Sequence, residues 1–203
     1  MFKPRVARRS LERYRRKGLD ALERRMVDAA AAEGLEGARV VEIGGGIGKL
    51  QVELLQAGAE QGEVVELVSA YEPFARELAR ERGLEARTSF SVTDVLEEPG
   101  AVDEADVVVM NRVVCCSPDG IELTSEASRL ARRALVLSFP RDVLWVRAAM
   151  RLVNVGFWLL RRSFRVFVHP HAALVAAAEA EGLRLADDGH GVAWEFAAFR
   201  RTR

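Results

Sequence analysis

The residues with the most evident chemical capacity are Glu42-Ile43-Gly44-Gly45-Gly46-Ile47-Gly48, set between a β-branched run and a helical stretch. Glycines there let the chain turn tightly and let a ligand come close to the backbone, while the next helix offers its unpaired N–H groups. The spacing is not that of a dinucleotide loop. In G-x-G-x-x-G the third glycine would fall on Lys49 if counted from Gly44 and on Gln51 if counted from Gly46, and no phosphate loop ending in Gly-Lys-Ser/Thr is present. His169 and His171, which bracket Pro170, are candidate general bases, with Tyr14 as a further one. Each also has a purely structural reading, and His190 reads as a solvated turn residue. Cys115 and Cys116 are adjacent, so their diverging side chains suit reduced thiols better than a disulfide. A thiolate nucleophile and simple packing are both open for that pair. Three scattered histidines and one cysteine pair offer no zinc spacing, so no metal is expected.

From Glu42 to Gly48 the chain matches an acidic-x-Gly-x-Gly-x-Gly signature, and in this it resembles the class I S-adenosylmethionine-dependent methyltransferases. The resemblance runs by motif from about residue 38 to 140. It implies that Glu42, Gly44, Gly45, Gly46 and Gly48 hold the amino-acid part of S-adenosylmethionine. Glu66, eighteen residues after Gly48, would accept the ribose hydroxyls, with Glu72 as the competing acid. Asp94 and Val95, after the third strand, would meet the adenine, and Asn111 and Arg112, after the fourth, would face donor and acceptor. The segments Arg112 to Asp119 and Leu135 to Arg141 also look like small bacterial methyltransferases related to magnesium-protoporphyrin O-methyltransferases. That likeness favours a small-molecule acceptor. The Pro-Cys dipeptide of pyrimidine C5 methylation is missing, as is the Asn/Asp-Pro-Pro-aromatic signature of DNA amino methylation.

The elements that must position these residues follow from hydropathy. Leu11, Tyr14, Gly18, Leu22, Met26 and Ala29 recur at helical spacing and predict one leading helix within residues 1 to 36. Strands are expected at 39–43, 64–67, 89–92, 105–110 and 134–138, with helices at 49–57, 71–82 and 121–133 between them. Such alternation predicts an α/β fold, a doubly wound Rossmann-like sheet. Two further strands, near 183–186 and 192–199 around the turn Asp187-Asp188-Gly189, predict an antiparallel C-terminal hairpin and seven strands in all. Between Pro140 and the last helix, 143–165 is an apolar and basic insertion. As a cap it would place Trp145, Trp158, Arg147 or Arg151 against an apolar, anionic acceptor. A core or dimer face is an equal reading, and reversible docking on a membrane is a third.

A chain of 203 residues with 49% hydrophobic and 30% charged residues is long enough for one well-buried domain and excludes a disordered tail or a fibre. Its thirty basic and thirty acidic residues cancel, so no global field draws it to nucleic acid or membrane. Charge is local instead: residues 1–25 hold ten basic side chains against three acids, and 141–165 six arginines against Asp142 alone. Free thiols and the lack of a secretory pattern near Met1 predict a cytoplasmic protein, and the alanine and arginine bias suggests a bacterial source. The sequence thus predicts methyl transfer from S-adenosylmethionine to a small, apolar acceptor, at oxygen. A non-catalytic binder of the donor or its product, and an RNA methyltransferase, are the alternatives.

Overall fold

The computed structural model describes residues 4–32 and 34–202. Seven strands form one sheet in the order β3-β2-β1-β4-β5-β7-β6: β1 (Arg39–Ile43), β2 (Gln61–Glu66), β3 (Thr88–Val92), β4 (Ala105–Asn111), β5 (Ala131–Pro140), β6 (Leu183–His190) and β7 (Trp194–Arg201). β1 to β5 are parallel, and β7 runs antiparallel between β5 and β6. Alternate residues serve opposite faces. Val40, Val107, Val109 and Val136 pack under α1 (Pro4–Lys17), α2 (Ala21–Ala31), α3 (Lys49–Gln56) and α4 (Glu72–Glu81). Val41, Val108, Met110, Leu135 and Leu137 pack under α5 (Gly120–Leu130) and α7 (His171–Ala180). A strand buried on both faces must be apolar at every position, which is why β4 reads as a continuous run. The strand order reverses between β1 and β4, and a crevice opens there beyond the carboxyl ends of the strands.

Three sequence expectations are corrected. The leading helix is two helices, because Gly18 turns left-handed at φ 63° and Asp20 starts α2 with a capping box. In that box the Glu23 amide donates to Asp20 Oδ1 and the Asp20 amide to Glu23 Oε2, both at 3.0 Å. Helix α5 ends ten residues before Pro140, and Ala131 already pairs with Ala105, so β5 is twice the expected length. The hairpin turn lies at 191–193 instead of 187–189. A bulge after Leu185 keeps Asp187 to Gly189 paired with Ala198 to Phe196, and the Gly191 amide closes the turn on Trp194 O at 2.7 Å. His190 therefore ends a strand.

Insertion 143–165 becomes α6 (Leu144–Leu159) and an extended return, and α6 buries only Val146 fully. Among the described residues no helix is long and apolar enough to cross a membrane.

Candidate functional site

At the crevice the glycine cluster turns from β1 into α3 through three left-handed residues, Gly44, Gly46 and Gly48, at φ 62°, 59° and 71°. Space is as restrictive as torsion: a Cβ on Gly44 would stand 2.6 Å from Val113 Cγ2, and one on Gly48 2.7 Å from Val64 Cγ2. The Gly44 amide donates to Val65 O at 2.7 Å, which ties the loop to β2. Beneath it the Glu42 carboxylate accepts the Gln51 amide at 2.9 Å and also faces that of Leu50, at the start of α3. Burial pushes the Glu42 carboxyl up to about 7, against the pull of those amides and of Lys49. Its oxygens are engaged by this chain's own backbone, so its role is to hold the loop.

Two cavity lobes meet at Gly44, Gly46, Tyr71 and Arg112. The first, about 370 Å³, is mainly apolar, walled by Val95, Leu96, Val113, Leu123 and Phe164 with Glu66 and Asp94 at its edge. Glu66 ends β2 and accepts the Gly46 amide at 3.0 Å and the Val68 amide at 3.1 Å. Burial raises its pKa above the usual carboxylate range despite those bonds. The Asp94 carboxylate accepts the Leu96 amide at 3.0 Å. Glu72 instead pairs with Arg76 on the exposed first turn of α4, so of the two competing acids only Glu66 lines the lobe. Cys116 also faces this lobe, while Cys115 is buried with its sulfur 3.9 Å from that of Cys116 and 3.4 Å from Arg112 O.

The second lobe, about 580 Å³, lies under α1 and α2 and is more polar than the first, with about half its surface polar and many charged side chains in its lining. Its floor is a chain of hydrogen bonds. The Arg112 amide donates to Ser138 Oγ at 3.0 Å, Ser138 to Asn111 Oδ1 at 2.8 Å, and Asn111 Nδ2 to Glu23 Oε1 at 2.9 Å, where Lys49 also donates. Arg112, itself left-handed at φ 60°, reaches Asp20 at 2.7 Å and lies over the Trp194 ring at 4.9 Å. Burial alone would raise the Glu23 carboxyl, but Lys49, the Asp20 amide and Asn111 outweigh it and hold the pKa below the usual range. Asp20 is lowered likewise, its burial outweighed by the Glu23 amide and Arg112.

Several expected site residues stand elsewhere. His169 is buried, with Nε2 3.0 Å from Val114 O and 3.1 Å from Ser117 O, so the ring donates to two carbonyls and braces the turn after β4. His171 packs edge-on to Phe139 and sits 3.4 Å from Glu195. Neither lines either lobe, because α7 packs on the sheet face opposite α2 and α3. Tyr14 does reach the polar lobe, but its hydroxyl donates to Glu53, and burial with that partner raises its pKa far above neutrality. It is a donor there, not a base. Trp145, Trp158 and Arg147 lie on the outer side of α6 away from both lobes, with Arg147 paired to Asp142. The sequence reading missed Asp20, Glu23, Lys49 and Tyr71. The Asp20-x-x-Glu23 capping signature was the one local signal for the first two.

No family model matches the chain, and no curated protein matches it by sequence. Solved structures do. Magnesium protoporphyrin IX methyltransferase ChlM from Synechocystis PCC 6803, with bound SAH, aligns at TM-score 0.72 and 20% identity over 95% of this chain and 94% of that one. The chain carries the Rossmann-like methyltransferase fold. An O-methyltransferase family 2 protein from Planctomyces limnophilus, in complex with apigenin, aligns at TM-score 0.71 and 15% identity over 100% of this chain and 62% of that one. Mitomycin 7-O-methyltransferase MmcR aligns at 0.66 and 23%, over 89% and 54%. The expected seven-stranded sheet with its antiparallel strand is therefore borne out, and with it the resemblance in fold.

Proposed function

We propose that this protein is a methyltransferase that uses S-adenosylmethionine and a small, mainly apolar acceptor, at oxygen. The observation that carries the reading is the junction of the two lobes at the glycine loop, one lobe apolar with acids at its edge and the other polar and charged. This donor set fits the group. Glu66 would take the ribose, Asp94 and Val95 the adenine, and the loop backbone with Asn111 the amino-acid end. When bound, S-adenosylmethionine supplies a methyl group on a positively charged sulfur.

The chain's own work is then mainly positional. In-line transfer needs the acceptor atom held about 3 to 3.5 Å from the methyl carbon, and orientation alone lowers such barriers by several kcal/mol. Arg112, fixed by Asp20 and Trp194, is the charged side chain best sited to orient an acceptor, since it borders both lobes. Among the described lining residues no histidine is present, so a proton lost by the acceptor would pass to a lining carboxylate or to water. The same observation favours the second reading, a protein that binds the donor or its product without turnover.

The relatives in fold include a protoporphyrin methyltransferase and a mitomycin O-methyltransferase, which supports a planar, ring-containing acceptor class. Calorimetric titration with S-adenosylmethionine, S-adenosylhomocysteine and NAD tests the donor site. Micromolar affinity for the two sulfur nucleotides and none for NAD is expected. Failure to bind either would end the reading. Release of S-adenosylhomocysteine in a screen of phenols, carboxylates and porphyrins then separates enzyme from binder.

A further inference from the structure

Helix α6 is apolar on the side that faces away from the protein. At about 100° per residue, Leu144, Trp145, Leu152, Val155 and Leu159 share one outward arc of roughly 100°, with Trp158 beside it. Leu144, Leu152 and Trp158 are 84%, 73% and 67% exposed. An isolated exposed leucine means little, but a contiguous apolar arc on one helix marks a surface that is covered in use. Its border is cationic. Arg147 and Arg151 run along one edge, Arg161 and Arg162 follow the C-terminus, and Asp142 is the sole acid between 141 and 165.

We infer that α6 is an interfacial helix that docks this protein on an anionic lipid surface. An apolar arc carrying tryptophan and leucine beside an arginine-rich flank is the pattern of helices that lie in the headgroup region. At 16 residues, α6 is about 24 Å long, short of a roughly 30 Å hydrocarbon core, so it lies on the bilayer and does not span it. The charge decides against a second copy as occupant, since a two-fold helix pair would set the same arginines of two chains against each other. Asn154, seven residues after Arg147, lies on the inner side of that basic edge. It anchors the extended return by two hydrogen bonds to the Val166 backbone, both at 2.8 Å, which holds the helix flat against the body with its apolar arc outward. Phe157, on the inner side of α6, packs edge-on to Phe164 at 5.6 Å, and Phe164 walls the apolar lobe, so the helix is tied to the site through the side opposite its docking face.

The test is sedimentation of the full chain with large unilamellar vesicles of phosphatidylglycerol and phosphatidylcholine, against pure phosphatidylcholine. Binding to the anionic vesicles with a blue shift of tryptophan emission is expected, weakened by salt and at least tenfold lower on neutral vesicles. The double variant L152S/W158S should lose binding at least tenfold with unchanged circular dichroism and Tm. R151Q should lose about fivefold, the share of one arginine near an anionic surface. Absence of sedimentation, equal binding to neutral vesicles, or equal binding by L152S/W158S would overturn the inference. So would a dimer in sedimentation equilibrium that L152S/W158S dissociates while vesicles are ignored.

Discussion

The two lobes of the crevice are built in different ways. The apolar lobe is mostly backbone work: strand ends, the left-handed Gly44 and Gly46 that it shares with the polar lobe, and the carboxylates of Glu66 and Asp94 bonded to amides close by in the fold. The polar lobe is side-chain work, joining α2 to β4, β5 and α3 through Glu23, Asn111, Ser138, Lys49 and Arg112. The first is rigid because sterics leave the chain no other path. The second is held by ion pairs and hydrogen bonds, whose strength depends on charge and so on pH. Under the proposed function, the ribose and adenine of the donor would lie on the part held by backbone, and its amino-acid end and the acceptor would border the part held by side chains.

Gly44→Ala strikes the rigid lobe hardest. A left-handed non-glycine residue and an overpacked Cβ against Val113 together should cost about 2 to 5 kcal/mol of stability, read by urea unfolding. A cost below 1 kcal/mol would show that the loop is softer than its geometry.

Charge gives the next largest effect, with opposite signs for Glu42 beneath the glycine loop and for the Asp20–Glu23 pair under α2, all three beside the polar lobe. The Glu42 carboxyl rises from 4.5 to about 7 on folding, so its contribution is full below pH 4.5 and is lost as pH rises through 7. The change is roughly 3 kcal/mol, and Glu42→Gln should flatten it in unfolding curves collected across that range. Asp20 and Glu23 are lowered, so their contribution is present above the ordinary carboxylate pKa and fades as pH falls. A Glu42→Gln profile as steep as the parent's between pH 4.5 and 7 would remove Glu42 as the source.

Glu66→Ala should weaken S-adenosylmethionine binding by about 1.5 to 3 kcal/mol, the range for hydrogen bonds to a charged group, in calorimetry on folded protein. Unchanged affinity would take the ribose role from Glu66.

Glu23→Gln should cost about 1 to 2 kcal/mol of stability while leaving donor affinity within a factor of two. If donor affinity fell as much as in Glu66→Ala, the two lobes would be one unit and the contrast between them would fail.

That contrast also explains what could be read from sequence. The sheet was legible because β1, β4 and β5 are buried on both faces and admit few polar residues. The glycine loop was legible because left-handed backbone leaves little choice of residue. The polar lobe was not, since Asn111 and Glu23 are 88 positions apart and Arg112 and Asp20 are 92 apart. No local pattern encodes such pairings. The histidines misled for the complementary reason: a histidine pair bracketing a proline looks poised for chemistry, yet His169 is needed to satisfy two carbonyls in a packed corner. The tryptophans of the insertion misled because hydropathy marks which residues avoid water and is silent on what covers them.

The placement of β7 between β5 and β6 bears on how the molecule is born. During synthesis β6 leaves the ribosome before β7, yet it has no strand to join until β7 arrives, and until then β5 shows a bare edge. A nascent chain can assemble β1 to β5 with their helices, but it carries an open, hydrogen-bonding margin until β7 emerges. A ribosome stalled before β7 would therefore display a sticky fragment with five ordered strands, and β7, threaded into the gap after β6 is made, acts as the latch that closes the sheet.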